Sequence, residues 1–138
     1  MTEEQSIQGL VEVAQKQVVL LLEVGYLYME MGRNEEAKQV FEGVAALAPH
    51  SDVPQMALGH LYFSMGRFNP ALKAHEQAVK LNPDSAAAHA SVGEALFFLR
   101  RHDEALKCLE KAMALDPDGP AGEFAAALKD ASELGIFG

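Results

Sequence analysis

Small and apolar residues in this chain recur at a fixed interval of 34 residues. Four such series run in phase along most of the sequence, with no insertion between successive copies. The series are Gly25, Gly59 and Gly93; Ala37, Ala71 and Ala105; Val44, Ala78 and Ala112; and Pro49, Pro83 and Pro117. A constant period of this length indicates one supersecondary unit that occurs three times, in place of one irregular core.

Each unit is predicted to be a pair of helices. In the first two units the first helix should end at Gly32 and Gly66, because glycine adopts the left-handed conformation that follows many helices. We expect Asn34, Asn69 and Asp103 to cap the second helices. The repeated glycines and alanines should face the partner helix, where a larger side chain would hold the two backbones apart.

A further helix is predicted after the third unit, over residues 120–134. Pro120 lies in its first turn and Gly135 ends it. The apolar stripe that should cover the end of the repeats is formed by Phe124, Leu128, Ala131 and Leu134.

The residues before the first unit also carry an apolar stripe at helical spacing. It consists of Ile7, Leu10, Val11, Ala14 and Val18. Two interpretations are open: one long helix from about residue 3 to 31, or a separate short helix that packs on the repeats. Without a cover inside the molecule, the stripe would form the interface of a homodimer.

The repeated units resemble the tetratricopeptide repeat, whose signature places a large residue, Leu-Gly, Tyr, Ala, Phe and Pro at these offsets. The first unit carries Leu21-x2-Val24-Gly25-x2-Tyr28, then Ala37-x3-Phe41 and Pro49. The second and third units depart from the signature at Gln55, His75 and His89. The resemblance implies an all-α, right-handed α-solenoid of three helical hairpins, with an N-terminal helical segment and a C-terminal capping helix.

On this basis residues 1–138 are predicted to form a single domain. Its parts are an N-terminal segment 1–17, repeats 18–51, 52–85 and 86–119, and a capping helix 120–135.

Charge and cysteine content narrow the classes of function. The formal net charge of the 138-residue chain is -9, and there is no run of basic residues, which argues against nucleic acid as a partner. A single cysteine suits a reducing compartment. The acidic first residues do not read as a signal peptide, and the longest apolar run, 18–22, is too short for membrane insertion. We therefore expect a cytoplasmic protein.

Nothing in the sequence indicates an enzyme. It has no Gly-rich phosphate loop and no His-Glu-x-x-His motif, so we expect no catalytic residue, no cofactor and no metal. His75 and His89 are expected to be partly buried and hydrogen-bonded, and Cys108 to be an inert thiol.

A binding surface is expected on the first helices of the repeats, which line the concave face in proteins that this chain resembles. The candidate peptide-binding residues are Leu22, Tyr26, Met29, Met56, His60, Phe63, Glu94 and Phe97. Methionines and aromatic rings at these positions suit the apolar anchors of a protein or peptide partner. The alternative is that these side chains pack on one another or on the last helix. Glutamates on this face, including Glu94, favour basic flanks on the partner.

The resemblance implies a non-enzymatic adaptor or scaffold. The layout of an N-terminal helical segment, three repeats and one closing helix also resembles the small tetratricopeptide repeat chaperones of bacterial type III secretion, so the alternative is a dedicated chaperone for a type III secretion substrate. Related co-chaperones clamp acidic peptide ends with Lys, Arg and Asn. The matching positions here are Leu22, Tyr26, Ala57, Ala87 and Ser91, and none of them is a cation. An acidic-tail clamp is therefore not expected.

Overall fold

The computed structural model describes residues 2–137, and all regular secondary structure within that range is α-helical. The helices are α1 (Glu3–Glu30), α2 (Asn34–Leu47), α3 (Val53–Ser64), α4 (Phe68–Leu81), α5 (Ala86–Phe98), α6 (His102–Leu115) and α7 (Pro120–Glu133). The prediction of paired helices followed by one further helix is confirmed.

α1 is one continuous helix of 28 residues, as in the first of the two interpretations. A capping box at Thr2 and Gln5 closes its start, since each side chain accepts a hydrogen bond from the other residue's backbone N–H. Most of the predicted dimer stripe, namely Ile7, Leu10, Val11 and Ala14, has side chains outside the described residues. The dimer interface therefore stays a prediction.

α1, α3 and α5 end in the same left-handed turn. φ is 74° at Gly32 and 73° at Gly66, which confirms both predicted helix ends. In the third hairpin the equivalent residue is Arg100, with φ of 63°. The N–H of the following residue donates back to the end of the helix, as Arg33 does to Tyr28 O at 2.8 Å.

The second helices begin one or two residues earlier than predicted. α2, α4 and α6 start at Asn34, Phe68 and His102, and no side-chain hydrogen bond caps them. The capping positions are Arg33, Arg67 and Arg101. The predicted caps Asn34, Asn69 and Asp103 are wrong, because the left-handed turn leads directly into the next helix and leaves them inside its first turn.

The described residues divide into two compact units, the first up to Pro49 and the second from His50 onward. In the first unit α1 packs against α2. A Cβ atom built on Gly25 would collide with the ring of the buried Phe41, so the two backbones approach closely only because residue 25 has no side chain. The predicted role of this glycine is confirmed.

The second unit stacks two hairpins and α7. α3 packs on α4, α4 on α5, α5 on α6, and α7 on both α5 and α6. Gly59 faces the ring of His75 and Gly93 faces Leu109, in the manner of the first hairpin. The centre of this unit is made of fully buried apolar side chains, among them Leu61, Ala95, Phe97, Leu109 and Ala112.

α7 presents a different face to the hairpins than predicted. Leu128 does pack on the core, but Phe124 and Leu134 are exposed, and the buried residues of α7 are Gly122 and Ala125. The reason is that the backbone of Gly122 lies directly against the carbonyl of Asp116, where any side chain would collide. Small residues therefore face inward, and the helix is rotated so that the ring of Phe124 points away from the core.

Candidate functional site

A groove runs across α3, α5 and α7 in the second unit and encloses about 320 Å³. α3 supplies Met56 and His60, and the remaining lining comes from α5 and α7. These further residues are Ala87, Ala90, Ser91 and Glu94 of α5 and Pro120, Ala121 and Phe124 of α7. α3 and α5 are the first helices of the second and third units, and α7 starts where the first helix of a fourth unit would start.

The repeat interval itself explains which side chains meet in the groove. Met56, Ala90 and Phe124 are spaced 34 residues apart, so they occupy one position on three successive helices. His60 and Glu94 are related in the same way one helical turn later. Because equivalent positions of stacked repeats point in the same direction, each series becomes one row of the groove.

The groove has tall apolar walls and a low floor. Met56 and the 41% exposed ring of Phe124 stand on either side. Between them Ala90 and Ser91 are almost fully buried, and their small side chains leave the floor close to the helix backbone. A bulky apolar side chain of another molecule could therefore enter between the walls and lose its contact with water.

Two titratable groups lie at one end of the groove. Burial raises the pKa of the Glu94 carboxyl, which has no ion pair with any described residue. Burial also lowers the pKa of His60, whose ring stands 5.2 Å from that of His75. Both shifts favour the uncharged forms, although the side chain of His60 is exposed to solvent.

His75 lies behind His60 and is 1% exposed. Its burial, together with the nearby charge of His60, lowers its pKa to about 3. The expected hydrogen bonding of this residue is wrong for Nδ1, which has no partner among the described residues. His89 behaves as predicted, because its Nε2 is 2.8 Å from the carbonyl oxygen of Pro83.

A second cluster of predicted residues lies where α3 and α5 end. The ring of Phe63 meets those of Phe68 and Phe98 at 5.1 and 5.0 Å between centroids. Phe97 is 1% exposed and lies beneath Phe137, with the two rings stacked at 4.8 Å. Phe97 is therefore a core residue, and its neighbour Phe98, which is 45% exposed, reaches the surface in its place.

The three candidates of the first unit lie on α1. Tyr26 is partly exposed and its ring contacts Phe41 edge-on at 5.1 Å, while burial raises the pKa of its hydroxyl. Leu22 and Met29 are half-buried. The eight predicted residues thus fall into three groups: Leu22, Tyr26 and Met29 on α1; Met56, His60 and Glu94 in the groove; Phe63 and Phe97 in the aromatic cluster.

The sequence analysis missed Phe124 as a groove residue and Phe137 as part of the aromatic cluster. Phe124 could have been found, because it continues the 34-residue series of Met56 and Ala90. Phe137 lies beyond the last helix, where no spacing pattern relates it to Phe97.

The remaining candidate chemistry gives no site. Among the side chains that the structure describes, no three of His, Cys, Asp or Glu are grouped to hold a metal ion. Burial raises the pKa of the Cys108 thiol, which keeps it protonated and weakly nucleophilic. None of the described helices combines the length and the apolar character needed to cross a membrane.

Two models of the tetratricopeptide repeat match the sequence, one over residues 28–74 and the other over residues 56–120. Together they cover residues 28–120, which contain every member of the 34-residue series except Gly25. The chain belongs to the tetratricopeptide repeat family. The departures at Gln55, His75 and His89 are local, because His75 fills the place against Gly59 that Phe41 fills against Gly25.

Solved tetratricopeptide repeat structures superpose on most of the chain. The first such domain of Spaghetti (RPAP3), bound to the HSP90 peptide SRMEEVD, is 25% identical with a TM-score of 0.74, over 86% of this chain and 93% of that one. The type III secretion translocator chaperone SycD of Yersinia enterocolitica is 18% identical with a TM-score of 0.76, over 88% and 94%.

PcrH, solved with the chaperone-binding region of PopB, is 22% identical with a TM-score of 0.73, over 84% of this chain and 94% of that one. These similarities confirm the predicted all-α fold of the α-solenoid type, and they include the chaperones that the layout of this chain resembles. No curated protein sequence matches the chain.

Proposed function

We propose that this tetratricopeptide repeat protein is a non-enzymatic interaction module that holds a segment of a partner protein in the groove of α3, α5 and α7. The observation that carries the proposal is the row formed by Met56, Ala90 and Phe124, which places a small residue between two large apolar ones. A similar domain, the first of Spaghetti (RPAP3), is bound to a peptide.

The walls of the groove suit an apolar anchor on the partner. Methionine has three rotatable bonds and a polarisable sulfur, so Met56 can adapt to different shapes, whereas the ring of Phe124 is rigid. An aliphatic side chain that fills the space over Ala90 would gain about 1.5–3 kcal/mol from its removal from water. Adaptable apolar anchors of this kind are typical of groove-binding segments.

The charge of the groove favours a basic residue next to the anchor. Glu94 is its only acidic lining residue, and no lining residue is Lys or Arg. A partner Lys or Arg at this place would stabilise the ionised carboxylate that burial disfavours. The net charge of -9 also favours basic flanks.

This chemistry differs from that of the HSP90 peptide SRMEEVD, whose end is acidic. A carboxylate entering the groove would meet Glu94 and would find no cation among the lining residues. We therefore propose an apolar segment with basic flanks as the ligand, in place of an acidic chain end.

The test is recovery of bound partners by the tagged protein and by two variants. Met56→Ala with Phe124→Ala lowers both groove walls, while Leu47→Ala with Leu134→Ala removes two side chains of similar character that are exposed elsewhere. We expect the groove variant to lose its partner at unchanged helicity, and the control variant to retain it. Retention by the groove variant would show that binding occurs elsewhere.

The identity of the recovered proteins separates the two roles. An adaptor or scaffold should bring two proteins, one of them insensitive to the groove variant. A dedicated chaperone should bring one secreted protein in stoichiometric amount and lose it completely with the groove variant.

A further inference from the structure

The residues that follow α7 fold back onto the aromatic cluster. α7 ends with a left-handed turn at Gly135, where φ is 78°. The N–H of Ile136 donates to Ala131 O at 3.1 Å, which directs the next residue toward the hairpins. The ring of Phe137 then stacks on Phe97 at 4.8 Å, nearly parallel, and meets Phe98 edge-on at 5.7 Å.

The site that receives this ring is built without it. Phe63, Phe68 and Phe98 come from three different helices and contact one another at centroid distances of 5.0 to 5.1 Å. Beneath them Phe97 belongs to the core of the second unit. The floor and one wall are therefore fixed by the packing of α3, α4 and α5, and Phe137 is an addition to them.

Phe137 is held by few interactions. Among the described residues of this segment, the backbone hydrogen bonds belong to the turn that ends α7, and the last donor is Ile136. Both neighbouring apolar side chains, Leu134 and Ile136, are largely exposed and give no anchorage. Each aromatic contact contributes about 0.5–1.5 kcal/mol beyond the burial of area, so the ring can leave at moderate cost.

The site also remains partly open while Phe137 occupies it. Phe98 stays 45% exposed, and a cavity of about 400 Å³ lies between it, Phe97, Arg100 and the residues after α7. An aromatic ring is thus seated where a larger aromatic ligand would also fit.

We propose that this aromatic site docks an aromatic side chain of a partner segment, and that Phe137 occupies the site in the free protein as an internal competitor. We expect the ligand to be an aromatic ring because the protein places an aromatic ring of its own, that of Phe137, in this site. The proposal rests on the proposed function only in taking the partner to be a protein segment, since the aromatic site and the groove are lined by different residues.

Competition by a tethered ring has a measurable consequence. A group attached to the protein has an effective concentration in the millimolar range at its site. The apparent affinity of a free ligand falls in proportion to the fraction of sites that the attached group leaves open. Removal of the Phe137 ring should therefore strengthen binding at this site, whereas removal of Phe98 should weaken it.

The chain contains no tryptophan, so a peptide with one tryptophan can be followed selectively by its fluorescence. The probe is a peptide that copies residues 131–138 with tryptophan at the place of Phe137. It is titrated into the wild-type protein, Phe137→Ala, and Phe137→Ala with Phe98→Ala. We expect Phe137→Ala to bind the probe at least threefold more tightly than the wild type does. We expect the double variant to bind it at least tenfold more weakly than Phe137→Ala does.

Val53→Ala is the matched control, because Val53 is exposed to a similar extent as Phe98 but lines neither the groove nor the aromatic site. It should bind the probe like the wild type. Equal binding by wild type and Phe137→Ala, or unchanged binding by the double variant, would overturn the proposal. If Phe137→Ala loses helicity, Phe137→Leu keeps an apolar cover without a stacked ring and must show the same gain.

Discussion

In the second hairpin, the imidazole ring of His75 lies at the close contact between the two helices. His75 fills the space against Gly59 that a phenyl ring and a leucine side chain fill in the other two hairpins. Its Nδ1 is buried without a hydrogen bond from the described residues, which costs about 1–3 kcal/mol. The hairpin therefore accepts His75 only in its neutral form.

This residue makes folding stability depend on pH. The pKa of His75 is about 3 in the folded protein, below the ordinary value of 6.5 that applies when the chain is unfolded. The unfolded chain thus binds a proton more readily, so the stability that His75 contributes is fully present above pH 6.5 and is lost as the pH falls toward 3. The loss should reach about 1.4 kcal/mol per pH unit.

Urea unfolding from pH 7 to pH 4 checks this prediction, with His75→Phe as the comparison. Phenylalanine fits the equivalent place in the first hairpin and has no ring nitrogen to protonate or to leave unpaired. We expect the difference in unfolding free energy between variant and wild type to grow as the pH falls. A difference that is constant over this range would mean that the pKa of His75 is the same in the folded and the unfolded protein.

At the scale of elements, helices pack closely at the positions where one of them has a glycine, which has no side chain. Gly25, Gly59 and Gly93 each admit a side chain of the partner helix, and Gly122 admits a backbone carbonyl. These contacts bring helices closer than two ordinary side chains would permit. Glycine lowers the intrinsic stability of each helix by about 0.5–1 kcal/mol, which the closer packing offsets.

Two single alanine substitutions separate these effects. Gly59→Ala should lower the unfolding free energy by about 1–3 kcal/mol, since its methyl group overlaps a fully buried ring that cannot move away. Gly43→Ala, also inside a helix but with no neighbour within 4 Å, should raise it by up to about 1 kcal/mol. Chemical denaturation measures both, and a stabilising Gly59→Ala would refute the assigned packing.

The same contacts show how far the sequence predicts the structure. The 34-residue interval identified the glycines and their partner helices, because a repeated contact leaves a repeated residue. The predicted starts of the second helices were wrong. A backbone hydrogen bond, such as the one that Arg33 donates, sets this boundary, and any residue type can supply it. The apolar stripe of α7 wrongly predicted that Phe124 is buried, because the space beside Asp116 admits only the backbone of Gly122.

At the scale of the whole molecule, the described residues divide into two compact units. The unit from His50 onward contains the second and third hairpins, α7, the groove and the aromatic site. All the described residues that carry the proposed binding therefore lie within one unit.

We predict that residues 50–138 fold without the rest of the chain. Their helices bury a continuous cluster of apolar residues from Leu72 to Ala125, which is the main requirement for independent stability. The isolated fragment should give a helical circular dichroism spectrum, unfold cooperatively on heating, and bind the tryptophan probe like the intact protein. A fragment without cooperative unfolding would show that α1 and α2 are needed for the fold.

Each hairpin contains both halves of its own closest contact: Gly25 with Phe41, Gly59 with His75, and Gly93 with Leu109. A genetic duplication or deletion whose breakpoints fall between hairpins would transmit these pairs intact. A crossover inside a hairpin would instead join a glycine to the side chain of another copy, with a different volume and polarity. The repeats of this protein can therefore diverge one hairpin at a time without separating the two halves of a contact.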